Sequence, residues 1–166
     1  MITWMYLLVL VIAVLMTASI LVKNRKVDNA FILFGVLLIL SSGGQYMLAV
    51  SETVEAAVWA NKILYVGGCY LPFVAFIIVT RLCNIRVNRY FKLFLLVYAS
   101  IVLGFVMSIG HNGLYYVSVE VVQGNGFNYL VKEYGPFHVL YPVMMVLYSV
   151  LAIAFIGYAI KNRKEI

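Results

Sequence analysis

The side chains in this sequence that could recognise a ligand are polar groups near the ends of long apolar segments. Uncompensated polarity at such depth costs free energy, so it indicates either a functional contact or an internal hydrogen bond. Lys62 could hold a negatively charged group, while Asn61 and Gln45 would orient the bound molecule. The candidate ligand-binding residues are Gln45, Tyr46, Asn61, Lys62, Tyr65, Tyr116 and Tyr141.

These residues also have simpler roles, and the sequence leaves both interpretations open. Lys62 could extend its ammonium group to the water interface or pair with Glu55. The small residues 41–44 (Ser-Ser-Gly-Gly) could serve only to bring two helices close together. The tyrosines could be members of an interfacial aromatic belt.

Metal and enzyme chemistry find little support in the sequence. The two histidines, His111 and His138, could share a metal ion, but a structural zinc site needs about four ligands and no cysteine or further histidine lies near them. Interfacial hydrogen bonding is the favoured role for both. The sequence has no Ser-His-Asp set, no glycine-rich phosphate loop and no CxxC pair, so we expect no cofactor and no catalytic site.

Composition places most of the chain in a lipid bilayer. Of its 166 residues, 65% are hydrophobic and 11% are charged, whereas a soluble domain keeps about a quarter of its residues charged. Such a chain cannot cover its own surface with polar groups. The net charge of +6 is confined to short segments between or after apolar runs. We therefore expect the bilayer as a partner and no nucleic acid.

Five apolar runs are each close to the roughly 20 residues that cross a bilayer core. Backbone amides in lipid must be bonded internally, which predicts helices. The first run could be a signal peptide, but its basic cluster follows it, so we expect it to be retained. A single domain over 1–166 is predicted, with spans at 2–22, 30–50, 59–81, 91–110 and 138–160.

The basic residues predict the direction of the spans. With the N-terminus outside and the C-terminus inside, only Lys62 and Lys132 of the twelve Lys and Arg residues face outward. The others lie in cytoplasmic segments, as the positive-inside bias requires. The fold class is therefore an all-α, five-helix transmembrane bundle, N-out and C-in, which makes the chain a multi-pass membrane protein.

Residues 114–134, between the fourth and fifth spans, alternate apolar and polar side chains about Asn125-Gly126. This pattern predicts an extracellular β-hairpin with a two-residue turn. The register would place Val121 opposite Leu130 and Val119 opposite Lys132. An isolated ribbon is only marginally stable, so we expect one face to pack on the helices as a cap. The alternative interpretation is a mobile loop with β propensity. That face would carry Val117, Val119, Val121 and Leu130.

The third span has signals of its own. Ser51 precedes two acidic residues, Glu52 and Glu55, which predicts an N-cap and a helix that starts near Glu52. Gly67 and Gly68 would permit a close helix contact, and Pro72 (four residues on) would permit a bend.

Two stretches carry a resemblance to a known family: "KILYVGGCYLP" at 62–72 and "YGPFH" at 134–138. With the basic loop between them, they resemble the seven-helix N-terminal sensor region of bacterial histidine kinases, which some diguanylate cyclases share. The resemblance covers about residues 5–160. It implies a cytoplasmic kinase or cyclase output and a homodimer formed through the helices or that output. Only five of the helices and no output motif are present. This pattern is expected of a piece of a longer protein or of a shortened relative, and we expect no enzyme activity in this chain.

These observations predict a membrane sensory domain. It would bind a small or lipid-like molecule in the outer half of the bundle and pass a helix movement to a cytoplasmic output. Two other classes stay open: a small transporter or channel subunit, and a structural or assembly membrane protein. A transporter would need functional polar residues near the midplane, where the first and fifth spans carry little beyond Ser149.

Overall fold

The computed structural model of the chain describes residues 2–23, 28–124 and 126–163, most of them helical. In that part of the chain, five helices are long and apolar enough to cross a membrane, as the sequence predicts. The elements in chain order are α1 (Ile2–Lys23), α2 (Asn29–Val50), α3 (Val54–Leu82), α4 (Arg89–Met107), β1 (Tyr116–Gly124), β2 (Phe127–Tyr134), a 3-10 turn (Pro136–Val139) and α5 (Leu140–Arg163).

Glycines bring α2 and α3 together along most of their length. A Cβ atom on Gly67 would lie 2.5 Å from the Leu37 carbonyl oxygen and 2.7 Å from Cβ of Ser41. A Cβ atom on Gly44 would overlap the backbone of Leu64 in the same way. Small residues let helix backbones approach closely, which is how helices associate where lipid supplies no hydrophobic drive. We call this contact the glycine seam; its glycines are Gly44 and Gly67.

A second packed region lies between α3, α4 and α5. Its fully buried side chains include Phe76 of α3, Leu95 of α4 and Met144 of α5. The same cluster continues to Tyr115, just before β1, and attaches the hairpin to the bundle. By contrast, most of the large side chains of α1 are exposed, as expected for a helix that faces lipid.

The hairpin has the predicted register. Val121 pairs with Leu130, Val119 with Lys132, and Gly124 with Phe127 across a two-residue turn. Gly126 has φ +92°, in the left-handed region that such turns require, while its neighbour Asn125 lies outside the described residues.

One face of the hairpin packs on the helices as expected. Leu130, with Val119 and Val121 beside it, contacts a small core formed by Leu48 of α2 and Ala57 of α3.

The prediction for Val117 was wrong. The register shifts between Tyr116 and Ser118, so that Val117 is an extra residue in β1 and is 57% exposed. A bulge of this kind re-aims the side chains before it. It turns Tyr116 inward instead, leaving it 3% exposed.

The predicted start of the third helix was also wrong. The N-cap of α3 is Thr53, whose hydroxyl accepts a hydrogen bond from the Ala56 amide, and the helix begins at Val54. Ser51 instead ends α2, and its hydroxyl donates to the Met47 carbonyl at 2.6 Å. A serine between two helices can serve either one, and here the local back-bond is the one made.

The start of α1, the α2–α3 connection and the hairpin meet at one end of the bundle, which we call the hairpin end. The Thr3 hydroxyl near the start of α1 donates to the Gly126 carbonyl in the hairpin turn. Asn128 of β2 donates its side-chain amide to the Ser51 carbonyl, between α2 and α3, at 2.8 Å. These contacts place the start of α1, the α2–α3 connection and the hairpin together.

At the opposite end, Arg81 at the end of α3 donates to both carboxylate oxygens of Asp28 before α2. This pair is exposed. Arg81, together with the Ala30 amide, holds the pKa of Asp28 below its usual value. Of the predicted basic cluster between α1 and α2, Arg25 and Lys26 and the side chain of Lys23 lie outside the described residues.

Candidate functional site

A cavity of about 220 Å³ lies between α2, α3 and α5, towards the hairpin end. It is lined by Ser41, Leu64, Tyr65, Gly68 and Tyr141. The rings of Tyr65 and Tyr141, both predicted ligand-binding residues, meet edge to face with their centres 4.8 Å apart. The floor is shaped by Gly68, because a Cβ atom there would lie 2.9 Å from the Tyr141 hydroxyl. The cavity is therefore bounded by small residues on two helices and by aromatic rings.

A group of polar side chains, four of them buried and one, Lys132, half-buried, joins α3 to the hairpin next to this cavity. We call it the polar junction; its members are Asn61, Tyr65, Tyr115, Tyr116 and Lys132. The Tyr65 and Tyr116 hydroxyls are 3.0 Å apart and hydrogen-bonded. The Lys132 ammonium donates to Oδ1 of Asn61 at 2.9 Å and lies 5.1 Å from the ring centre of Tyr116. Tyr65 thus belongs both to the junction and to the cavity wall.

Two atoms of the polar junction are buried without a hydrogen-bond partner among the described residues. They are Nδ2 of Asn61 and the hydroxyl of Tyr115, and both residues are 0% exposed. The Tyr115 hydroxyl lies near Tyr65 without reaching hydrogen-bonding geometry. An unsatisfied buried polar group costs about 1–3 kcal/mol, so each calls for an explanation.

The electrostatics of the junction favour neutral phenols. Burial, with the nearby Tyr65 hydroxyl acting in the same direction, raises the pKa of Tyr115 and of Tyr116 well above the usual value. The Asn61 side chain opposes this rise at Tyr116. Burial lowers the pKa of Lys132. The phenols therefore stay protonated and able to donate, and the surroundings give the ammonium too little negative charge to compensate its desolvation.

Aromatic side chains close the junction on the side of α5. His138 stacks on Tyr134 with ring centres 4.0 Å apart, and the Tyr115 ring lies 5.3 Å from His138. Tyr115 also meets Tyr65 edge to face at 5.7 Å. Since His138 precedes α5 directly, these rings connect the third helix, the hairpin and the fifth helix.

The predicted ligand-binding residues divide into two sets. The structure brings Asn61, Tyr65 and Tyr116 together, with Tyr141 on the adjoining cavity. The side chains of Gln45 and Tyr46 are half-buried on α2 and make no hydrogen bond to another described residue.

Lys62 was predicted to hold the negative group, but the structure places it outside the junction. It is buried, and its ammonium lies 5.2 Å from the ring centre of the exposed Trp59 on the same helix. It forms no ion pair with Glu55, so that alternative interpretation was wrong.

Lys132 and Tyr115 were not predicted, although the sequence carried a signal for Lys132. The predicted register set Lys132 opposite Val119, which was expected to face the helices. Directly paired residues on antiparallel strands point to the same side, so Lys132 had to face the helices too. No comparable signal identified Tyr115, because it precedes the first residue of β1 and so lies outside the alternating pattern.

The structure offers little for a metal. No cluster of three or more histidine, cysteine, aspartate or glutamate side chains that could hold a metal ion occurs within residues 2–23, 28–124 and 126–163. The His138 ring packs between the rings of Tyr134 and Tyr115. His111 lies on the rim of a shallow depression of about 210 Å³, which Tyr116 also lines from the hairpin side.

Comparison with known proteins gives one family. A family model described as the N-terminal 7TM region of histidine kinase matches residues 5–166, nearly the whole chain. Searches of curated proteins and of solved structures gave no significant match.

Proposed function

The chain belongs to the family of N-terminal 7TM regions of histidine kinases, and from this premise we propose that it senses a small molecule in the outer half of its helix bundle. The family is a membrane sensory domain, and five helices of the chain are apolar enough to span a membrane. The arrangement of the residues bears on two further points: where a ligand would bind and how its binding would change the position of a helix.

We place the hairpin end outside the cell and the end with Arg81 inside. The distribution of Lys and Arg supports this orientation, because the exposed Arg86 and Arg89 and the half-buried Lys92 all follow α3 at the same end as Arg81. The host would be a bacterial cytoplasmic membrane. A membrane-impermeant thiol reagent added to intact cells should then leave Cys83 unlabelled, and labelling from outside would invert the orientation.

The cavity between α2, α3 and α5, covered by the polar junction, is the observation that carries the proposal. Sites for small molecules are mostly apolar and hold a few convergent polar groups. Here the apolar part is the cavity wall and the polar part is the junction, and Tyr65 joins them. A bound molecule would therefore contact three helices and the hairpin at once.

The same contacts give a route for the signal. A ligand can shift a conformational equilibrium only if it binds one arrangement better than the other. A molecule that inserts between Tyr65 and Tyr141 separates α3 from α5, whereas the empty arrangement keeps those rings in contact. Movement of α5 along or about its axis would then reach the cytoplasmic output expected for this family.

Filling the cavity with a side chain tests this proposal without knowledge of the ligand. In a chimera that joins this chain to the cytoplasmic part of a histidine kinase, Ser41→Leu should mimic occupancy and change autophosphorylation in vesicles by about fivefold or more, in either direction. The matched control is Ser149→Leu, the same substitution at an exposed position of α5. Unchanged autophosphorylation in a folded Ser41→Leu protein would remove the cavity from the signalling route.

A further inference from the structure

The polar junction contains more hydrogen-bond donors than acceptors. Lys132 has three N–H donors, and one hydrogen bond, to Oδ1 of Asn61, is made to a described residue. The ammonium nitrogen also lies 5.1 Å from the centre of the Tyr116 ring. Nδ2 of Asn61 adds two donors and the Tyr115 hydroxyl adds one, all buried and without partners among the described residues. The acceptor oxygens are Oδ1 of Asn61, which already accepts from Lys132, and the three phenol oxygens, two of which share the Tyr65–Tyr116 hydrogen bond. The eight N–H and O–H donors of the junction thus face four acceptor oxygens. What this site lacks is an acceptor with several lone pairs.

The junction also carries a positive charge that no nearby carboxylate compensates. Among the described residues, the ion pair is formed by Arg81 and Asp28, which lie at the opposite end of the bundle. On the hairpin, Glu133 accepts a hydrogen bond from Ser118 and is exposed, while Glu120 points away from the helices opposite Val131. The Lys132 ammonium is half-buried and has only the neutral Asn61 oxygen as a hydrogen-bond partner, so an anion is the acceptor that would best compensate its lost hydration.

We propose that the polar junction binds the carboxylate of a small organic acid, held by Lys132, Asn61 and Tyr115. This assignment rests on the proposed sensory function and specifies its ligand class. A single ammonium with two neutral donors balances one negative charge. Phosphate groups carry more charge than a single ammonium compensates, and none of the described arginines, which bind phosphate through two parallel N–H bonds, lies in the junction.

The apolar part of such an acid would enter the cavity below the junction. Tyr65 marks the boundary, since its hydroxyl bonds to Tyr116 in the junction and its ring lines the cavity. A carboxylate with an apolar body can come from two sources: an acid dissolved outside the cell, or a fatty acid carried in the bilayer. Both present the same group to the same three donors.

Paired probes separate charge recognition from simple apolar binding and distinguish the two sources. The chain is placed in phosphatidylcholine nanodiscs, and its thermal unfolding is followed with benzoate or its neutral analogue benzamide in solution. In parallel, oleate or methyl oleate is added to the bilayer. We expect one carboxylate to raise the unfolding temperature and its neutral analogue to have no effect. Benzoate would indicate the dissolved source and oleate the membrane source. Equal effects of a carboxylate and its neutral analogue, or no effect from either carboxylate, would overturn the proposal.

Two lysines on the same end of the bundle provide a matched pair of variants. Lys132→Met keeps the length of the side chain but removes the ammonium, and we expect it to weaken carboxylate binding about tenfold or more. Lys62→Met removes the charge beside Trp59 and should leave binding unchanged. Binding that depends on Lys62 and not on Lys132 would contradict the proposal, because the ammonium that recognises the carboxylate would then be that of Lys62.

A third variant tests the same idea if Lys132→Met does not fold. Asn61→Asp builds a carboxylate into the junction beside the Lys132 ammonium, within the distance of the present hydrogen bond. We expect it to raise the unfolding temperature of the free protein and to abolish carboxylate binding. An Asn61→Asp protein that is destabilised and still binds the carboxylate would contradict the proposal.

The proposal and the function on which it rests fail in different ways. Carboxylate binding that depends on Lys132 but leaves the autophosphorylation of the chimera unchanged would remove the sensory function and keep the site. Autophosphorylation that responds to Ser41→Leu, in a protein that no carboxylate stabilises, would keep the function and remove the ligand class.

Discussion

The glycine seam and the polar junction both hold α3 to a neighbour, but they do so by opposite means. At the seam, the backbones of α2 and α3 lie so close that Gly44 and Gly67 have no room for a Cβ atom. At the junction, α3 meets the hairpin through long polar side chains, with Lys132 reaching Asn61. The seam therefore depends on shape alone, whereas the junction depends on which hydrogen bonds and charges are present.

This difference bears on which contact can respond to a signal. The seam has one good arrangement, because backbones packed this closely permit little sliding. The junction has unused donors, so its lowest-energy arrangement changes when an acceptor arrives. We infer that α2 and α3 move as a unit and that adjustment occurs between α3, the hairpin and α5.

The largest effect is expected from adding a methyl group at the seam. Gly67→Ala and Gly44→Ala each force backbone atoms apart, and overpacking of this kind costs about 1–3 kcal/mol and occasionally more. The matched control is Gly104→Ala, in α4, where a Cβ atom would meet nothing within 4 Å. Thermal unfolding in nanodiscs should show a clear loss for the two seam variants, and none or a slight gain for Gly104→Ala.

Equal unfolding temperatures for the seam variants and Gly104→Ala would show that the seam opens easily. In that event α2 would have to be counted among the moving parts. The comparison of the two regions would then lose its basis.

An intermediate effect is expected at the junction, where two adjacent tyrosines should respond in opposite ways. Tyr116→Phe removes a hydroxyl that is hydrogen-bonded to Tyr65, with an expected loss of about 1 kcal/mol. Tyr115→Phe removes a buried hydroxyl without a partner, which should leave the stability unchanged or raise it. The two free energies of unfolding, measured on the same preparation, give the sign directly. A larger loss for Tyr115→Phe than for Tyr116→Phe would show that the Tyr115 hydroxyl has a partner in the folded protein.

The sequence predicted the parts of this molecule that depend on local patterns. Long apolar runs identified five helices, and the alternation about Asn125-Gly126 predicted the pairing of Val121 with Leu130 and of Val119 with Lys132. The same patterns brought Asn61, Tyr65 and Tyr116 into one candidate site, because depth along a helix can be counted. Position around a helix cannot be counted so simply, and the structure places the Lys62 ammonium beside Trp59 and not among the residues of the junction.

What the sequence did not predict depended on a single inserted residue or on competition between equal alternatives. The bulge at Val117 has no distinctive residue type, yet it reverses which side chains before it face the helices. Ser51 and Thr53 are both acceptable helix caps, and their choice depends on how tightly α2 turns into α3. Lys132 and Glu133 are adjacent in β2 and point to opposite faces of the hairpin, so the register decides which of the two charges faces the helices.

The smallest effect is expected at the end opposite the hairpin, where charge is paired but exposed. The side chains of Arg81 and Asp28 are 55% and 38% exposed, so water screens their attraction and an exposed pair contributes little. Because the folded-state pKa of Asp28 is lowered, its contribution is present above the pKa of the unfolded chain, about 4, and is lost as the pH falls through the folded value. The unfolding temperatures of the native chain and Asp28→Asn should therefore differ only slightly at pH 7 and converge below about pH 4. A large difference at pH 7, comparable with that at the junction, would mean that this exposed pair and not the polar junction is the charged contact that holds α3 in place.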